Sequence, residues 1–448
     1  MSKRFLLLIL FIVLIPLPAP ADSVETHVLR NGLKVILVEE HKAPVVTIQV
    51  WYRAGSRNEV TGKTGLAHLT EHMMFKGTRK FGKGEFSRII ARNGGTENAF
   101  TGQDYTAYFE NLSSDRIDLA LELEADRMVN LLLNPKEFAL EREVVKEERR
   151  LRTDDDPQSL VVEQLYATAF QVHPYHSPII GWMTDLNHLE QKDAAAFYRR
   201  YYSPSNATLV VVGDMEPKRV LQKIEQTFGR LPKRKPVPDL TIVEPEQTGE
   251  RRFIVKKEAR LPMFLAGYRV PNFRHPDNYP LTVLSKILGA GKSSRLYRNL
   301  VHENPVALDV GGDYSHLSAD PELFYIYGVP LPGRTPVEIE EALFGEIERL
   351  KTEPVTEREL QKAINQIQAA FIMDQDSNFY RAMKIGMAET IGAGLPFQQA
   401  YVKHIETVTA EDILRGARTY LREENRTVGV LMPLNPKPDE RRPENHVE

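Results

Sequence analysis

The stretch His68-Leu69-Thr70-Glu71-His72 restricts this chain more than any other feature. On an α-helix two residues four apart are separated by about 400° of rotation, so both imidazoles leave one face about 6 Å from each other. Neutral imidazole suits Zn²⁺, and three protein ligands leave a fourth position for water. Glu71 stands directly before the second histidine, giving H-x-x-E-H, the inverse of H-E-x-x-H. A carboxylate placed there takes a proton from water without entering the coordination sphere.

The flanks extend the pattern. Gly55-Ser56-Arg57, followed by Gly65-Leu66-Ala67-His68-Leu69-Thr70-Glu71-His72-Met73-Met74-Phe75-Lys76-Gly77-Thr78, closely resembles the metal-binding signature of the pitrilysin-type (M16) metallopeptidases. That resemblance implies a third ligand on a second helix, seventy-six residues beyond His72, and this position is Glu148. It also implies a supporting glutamate seven residues earlier, which is Glu141. Helical geometry agrees, because Glu141 and Glu148 are two turns apart on one face, whereas Glu147 lies about 100° away. The implied centre is therefore one Zn²⁺ on His68, His72 and Glu148, with Glu71 as general base and Glu141 orienting the site. The resemblance further assigns Asn98, Ala99, Phe100 and Thr101 to a strand that pairs with an extended peptide substrate, an interaction that reads backbone more than side chains.

Composition fits a folded enzyme of more than one domain. A chain of 448 residues exceeds what one ordinary core supports. Its net charge of -3 and lack of a basic stripe exclude a nucleic-acid footprint. Without cysteine, disulfides, thiolate ligands, a cysteine nucleophile and a lipid-modified N-terminus are excluded.

Residues 1–21 read as a targeting segment. Lys3 and Arg4 precede an apolar run, Phe5 to Ile15, and Ala19-Pro20-Ala21 offers a small-x-small cleavage site. That run is shorter than the about 20 residues that span a bilayer. The expectation is export to a bacterial periplasm, with no stable membrane anchor after cleavage. An uncleaved anchor is the other reading.

The mature chain divides into a zinc-bearing domain, residues 22–235, a linker, 236–250, and a second domain, 251–432, with a polar tail, 433–448, expected to be disordered. The Asn31-Gly32 pair signals a hairpin. Helices are expected over 114–132 and 136–153, then around 279–288, 336–351 and 410–420. Strands are expected over 45–52, 98–101, 106–109, 207–214, 252–256, 263–269 and 427–432. Mixed hairpins and helices point to an α+β fold, each domain a mostly antiparallel sheet packed with helices. No residue-level repeat is visible, so the duplication rests on element order and resemblance.

Gly289-Ala290-Gly291-Lys292-Ser293 looks like the end of a P-loop, but Lys286 occupies the required first glycine and the run follows a helical pattern. The stretch instead resembles a second-domain segment of the family, which in many members carries an arginine and, seven residues on, a tyrosine that hold the substrate and its oxyanion. Here those positions are Val301 and Leu308, and neither side chain donates a hydrogen bond. The expectation is a heterodimer with a metal-free M16-type subunit that supplies the pair, a homodimer being the other arrangement. Two function classes follow: an exported zinc endopeptidase that acts when paired, or a non-catalytic peptide-binding or structural subunit of such a complex.

Overall fold

The computed structural model describes residues 24–434. The targeting segment and all but the first two residues of the tail lie outside them. The first half runs β1 (Val24–Val28), β2 (Lys34–Glu39), β3 (Val45–Tyr52), α1 (Leu66–Met73), α2 (Glu85–Arg92), β4 (Thr96–Thr101), β5 (Thr106–Ser113), α3 (Ile117–Asn130), α4 (Pro135–Arg149), α5 (Pro157–Ala169), α6 (Met183–Leu186), α7 (Gln191–Tyr201), β6 (Ala207–Gly213) and α8 (Pro217–Thr227). The second runs β7 (Arg251–Lys257), β8 (Met263–Val270), α9 (Asn278–Gly289), α10 (Arg295–Tyr297), β9 (Ala307–Tyr314), β10 (Glu322–Pro330), α11 (Pro336–Thr352), α12 (Glu357–Gln375), α13 (Asn378–Ile391), α14 (Gly394–Glu406), α15 (Ala410–Tyr420) and β11 (Arg426–Pro433). Between them, residues 231–250 carry neither helix nor strand.

The hairpin signal is realised: β1 pairs antiparallel with β2, and Gly32 takes the positive φ of 95° that its turn requires. Asn134 caps α4 by accepting from the amides of Lys136 and Glu137, and Pro135 follows at the first helical position. The expected helix over 136–153 therefore starts one residue earlier. At its other end it passes into a π-helical turn, Arg150–Asp154.

Two sheets result, ordered β1-β2-β6-β3-β5-β4 and β7-β11-β8-β10-β9. Without β1, the order is the same in both. In each, the last strand inserts beside the first as the single parallel pair, β2 with β6 and β7 with β11, while the remaining pairings are antiparallel. The duplication that sequence comparison of the halves leaves invisible is thus explicit in topology.

Each half lends a helix to the other's sheet. In β2, Val35 and Leu37 face the first half's own helices, while Ile36 and Val38 face away. That outer face, with Trp51, Val210 and Val212, is covered by Ala382 and Ile385 of α13. Reciprocally, Val161, Leu165 and Ala169 of α5 cover Met263, Leu265, Leu323 and Leu431 of the second sheet. Burial on both faces explains why β2 and β6 read as continuous apolar runs instead of alternating ones. Among the described residues, no helix is long and apolar enough to cross a membrane.

Candidate metal centre

α1 is set by its own ends. Gly65 precedes it at φ 84°, packed so closely on Ile180 and Leu186 that a Cβ there would lie 2.6 Å from the Ile180 carbonyl oxygen. Glu59 then accepts from the amides of Gly65 at 2.9 Å and Ala67 at 2.6 Å, placing a carboxyl group at the positive end of the helix. Leu66, Ala67, Leu69 and Met73 enter the core, which turns His68 and His72 toward α4 and β4. Glu59 was not among the residues singled out from sequence; nothing local marks it, because its partners are backbone amides brought to it by the turn.

The structure brings His68, His72 and Glu148 together, with one ligand atom from each lying within 4.8 Å of the others. Glu148 Oε2 stands 3.4 Å from His72 Nε2 and 3.8 Å from His68 Nε2. Donors each about 2.0–2.1 Å from a tetrahedral zinc ion stand about 3.3–3.4 Å apart, so the set fits Zn²⁺ after a small contraction. The other oxygen, Glu148 Oε1, is held by Arg152 at 2.7 Å, from the π-helical turn. Glu147 instead pairs with Arg150 at the surface. Burial, with His72 and Arg152 nearby, pushes the His68 imidazole down to about 3, which keeps it neutral and available as a ligand.

Glu141 accepts from His72 Nδ1 at 3.0 Å and from Lys76 Nζ at 2.6 Å. Burial alone would raise its carboxyl, and these two partners hold it below the ordinary range. The bond at Nδ1 leaves Nε2 of His72 as the nitrogen facing Glu148. Glu71 is almost fully buried, and burial raises its carboxyl despite the hydrogen bond from Thr101 Oγ1. A carboxylate raised by burial is a stronger proton acceptor than an ordinary one.

His68, Glu71, His72 and Glu148 line a cleft of about 840 Å³ that also takes in Asn98, Ala99, Phe100 and Thr101. β4 is the edge strand, paired with β5 on one side only. Phe100 turns to the opposite face and packs edge-on against Trp51, 5.3 Å between centroids. Val301 sits in a π-helical turn, Arg298–Glu303, against the second half's core, and Leu308 is exposed on β9. Neither reaches the cleft; among the described residues its walls come from the first half alone.

Residues 34–182 match the family described as Insulinase (Peptidase family M16), and residues 188–367 match Peptidase M16 inactive domain. Zinc protease PqqE of Helicobacter pylori (strain ATCC 700392 / 26695) is 36% identical over 416 residues, covering 91% of this chain and 93% of that one. The chain belongs to peptidase family M16. An uncharacterized zinc protease of Mycobacterium leprae (strain TN) is 29% identical over 86% of either chain. Among solved structures, a protease from Helicobacter pylori superposes with TM-score 0.89 at 35% identity, covering 92% of this chain and all of that one. The periplasmic protease PqqL from Escherichia coli shares the fold, with TM-score 0.76 at 16% identity, over 92% of this chain and 48% of its own. The M16 assignment agrees with the two-sheet architecture and with the absence of a second donor set from the second half among the described residues.

Proposed function

We propose that this chain is an exported zinc-dependent endopeptidase that hydrolyses extended peptides and acts with a partner subunit. The observation that carries the reading is the convergence of His68, His72 and Glu148 beside a buried Glu71, next to an open strand edge. Bound there, Zn²⁺ would supply a Lewis acid with an open position and make a water acidic enough to ionise near neutral pH.

The chain's own residues do the rest. β4 offers unpaired amides and carbonyls to a peptide laid antiparallel or parallel along it, which fixes the scissile bond over the donors. Glu71 takes the proton of the attacking water and returns it to the leaving amine. Thr101 Oγ1 holds the Glu71 carboxylate from the same strand that receives the peptide. Glu141 keeps His72 in the tautomer with Nε2 free.

The partner requirement rests on Val301 and Leu308, whose side chains cannot hold a developing oxyanion. Loss of one such donor costs about 2.7–4 kcal/mol of transition-state stabilisation, enough to silence a lone subunit. A metal-free M16-type subunit carrying the Arg/Tyr pair is the proposed partner. Export to the periplasm rests on the targeting segment and on the family's fold on a periplasmic neighbour.

The test is zinc content together with peptide cleavage by the mature chain, alone and co-expressed with a metal-free homologue, beside a Glu71→Gln control. Zinc near one per chain and Glu71-dependent cleavage only in the pair support the reading in full. Cleavage by the chain alone removes the partner requirement. Zinc without cleavage in either state moves the function to the peptide-binding subunit.

A further inference from the structure

The duplicated topology supplies a second cleft, opposite the first in chemistry. Glu148 lies fourteen positions beyond Asn134, the N-cap of α4, and Ala370 lies fourteen beyond Thr356, the N-cap of α12. Glu163 stands seven positions beyond the N-cap Asp156 of α5, and Lys384 seven beyond the N-cap Ser377 of α13. Glu148 and Glu163 line the metal cleft; Ala370 and Lys384 line a separate cavity of about 580 Å³ in the second half. α9 faces that cavity with Thr282 and Lys286, four residues apart as His68 and His72 are on α1. At these matched positions the second half carries no metal donors, and a cavity is present all the same. Its volume falls within the range of small-ligand sites.

Its lining is specific. The floor is aromatic: Phe371, Phe397 and Tyr401, with His316 stacked on Tyr401 at 4.9 Å and 12°. Burial, with Lys384 and Lys286 nearby, keeps the His316 imidazole neutral, and no side-chain hydrogen bond engages it among the described residues. Two loose ion pairs border the floor, Lys384 with Asp374 at 3.5 Å and Lys286 with Asp313 at 3.9 Å, each only partly covered. Two ammonium groups and two carboxylates beside an apolar floor match a molecule that has both charges and one large side chain. The carboxylate of such a molecule exchanges for an aspartate at a lysine, and its amine for a lysine at an aspartate.

We propose that this cavity binds a zwitterionic amino acid or short peptide through an aromatic or large aliphatic side chain. Position gives the site a consequence. Ser315, His316 and Leu317 line the cavity, and the same loop continues to Ala319 and Asp320, which bond to residues that back the wall of the metal cleft. Asp104 Oδ2 accepts from the Ala319 amide at 2.9 Å, and its Oδ1 accepts from the Tyr175 hydroxyl at 2.7 Å. Asp320 pairs with Arg57 and lies 3.0 Å from His173 Nε2. Tyr175 borders the metal cleft, so an occupant that moves residues 315–317 acts on that wall. Short peptides are what the proposed hydrolysis releases; this link to feedback rests on that reading, whereas the binding site does not.

The test is calorimetric titration of the full mature chain with the dipeptide L-phenylalanyl-L-alanine. Expected is one site per chain, kept in His72→Ala, weakened about tenfold or more in Lys384→Gln, and lost in Ala370→Trp. N-acetylphenylalanine and phenylalaninamide, each lacking one charge, should bind about tenfold more weakly. Ala370 is exposed, and circular dichroism checks that its variant folds; Lys384→Gln decides the case if it does not. Absence of binding by the wild-type chain overturns the proposal. So does binding that Ala370→Trp and Lys384→Gln leave unchanged, or binding that His72→Ala removes. Glu71-dependent cleavage is scored separately: its absence with binding intact refutes the proposed reaction and leaves the site standing.

Discussion

Truncating Leu165 to alanine tests whether the two halves are one cooperative unit. Leu165 is 1% exposed, on the helix that the first half lends to the second sheet, and its methyl groups lie against the backbone of Gly267. The change removes three carbons, worth about 0.8 kcal/mol each in transfer, and leaves a cavity between helix and sheet; about 3 kcal/mol is the expected loss. Unfolding entropy near 2.1 cal/mol/K per residue gives about 0.9 kcal/mol/K for the whole described chain and about 0.4 for the second half. If the exchanged helices bind the halves into one unit, scanning calorimetry on the metal-free protein shows one transition, lowered by about 3–4 °C. If the halves melt separately, the second transition alone falls, by about 8 °C. Two wild-type transitions, only one of which responds, would refute the coupling.

Other expectations follow from single contacts. Glu141→Ala should weaken zinc binding 10- to 100-fold in a chelator competition, because it removes the acceptor at His72 Nδ1; unchanged affinity would show that Glu141 does not support the site. Gly386→Ala should destabilise by about 1–3 kcal/mol in urea unfolding, since the new Cβ would stand 2.1 Å from Trp51 Nε1; a gain, as helix propensity alone dictates, would contradict that packing. Burial pushes the Glu322 carboxyl up to about 7 despite hydrogen bonds from Tyr166 and the Leu323 amide. The folded state therefore holds a proton that the unfolded chain releases, so this group's contribution is full below the ordinary carboxylate range and about 3 kcal/mol is lost as pH rises to 7. Glu322→Gln should flatten the stability profile between pH 5 and 8, and an unaltered slope would rule Glu322 out as its source.

The donor set was legible because helical spacing is local: His68 and His72 share a face by arithmetic, and Glu148 follows from the resemblance and from the face it shares with Glu141. Much of the secondary structure was legible for the same reason, α15 to the residue. Several parts were not. β9, β10 and α12 to α14 went unread, since β9 alternates poorly around Gly311 and Gly312, and α13 is apolar toward a sheet that belongs to the other half. An apolar face states that it will be covered and not by what. Glu59 on α1 and Thr101 on Glu71 are contacts of ordinary polar residues that no spacing announces, whereas Arg152 on Glu148 is an i,i+4 pair that helical spacing offered and that went unread.

The order of strands has a consequence for synthesis. β6 sits between β2 and β3, so five strands of the first sheet wait for residues 207–213 before its centre is filled. Its outer face, with Trp51 and Val210, waits longer still, for residues 378–391. A chain emerging from the N-terminus therefore carries an apolar surface through most of its elongation. On the proposed export across a membrane, that delay would keep the chain threadable until nearly all of it has been delivered, and in any setting it makes the last fifth of the chain the step that commits the first half to its final form.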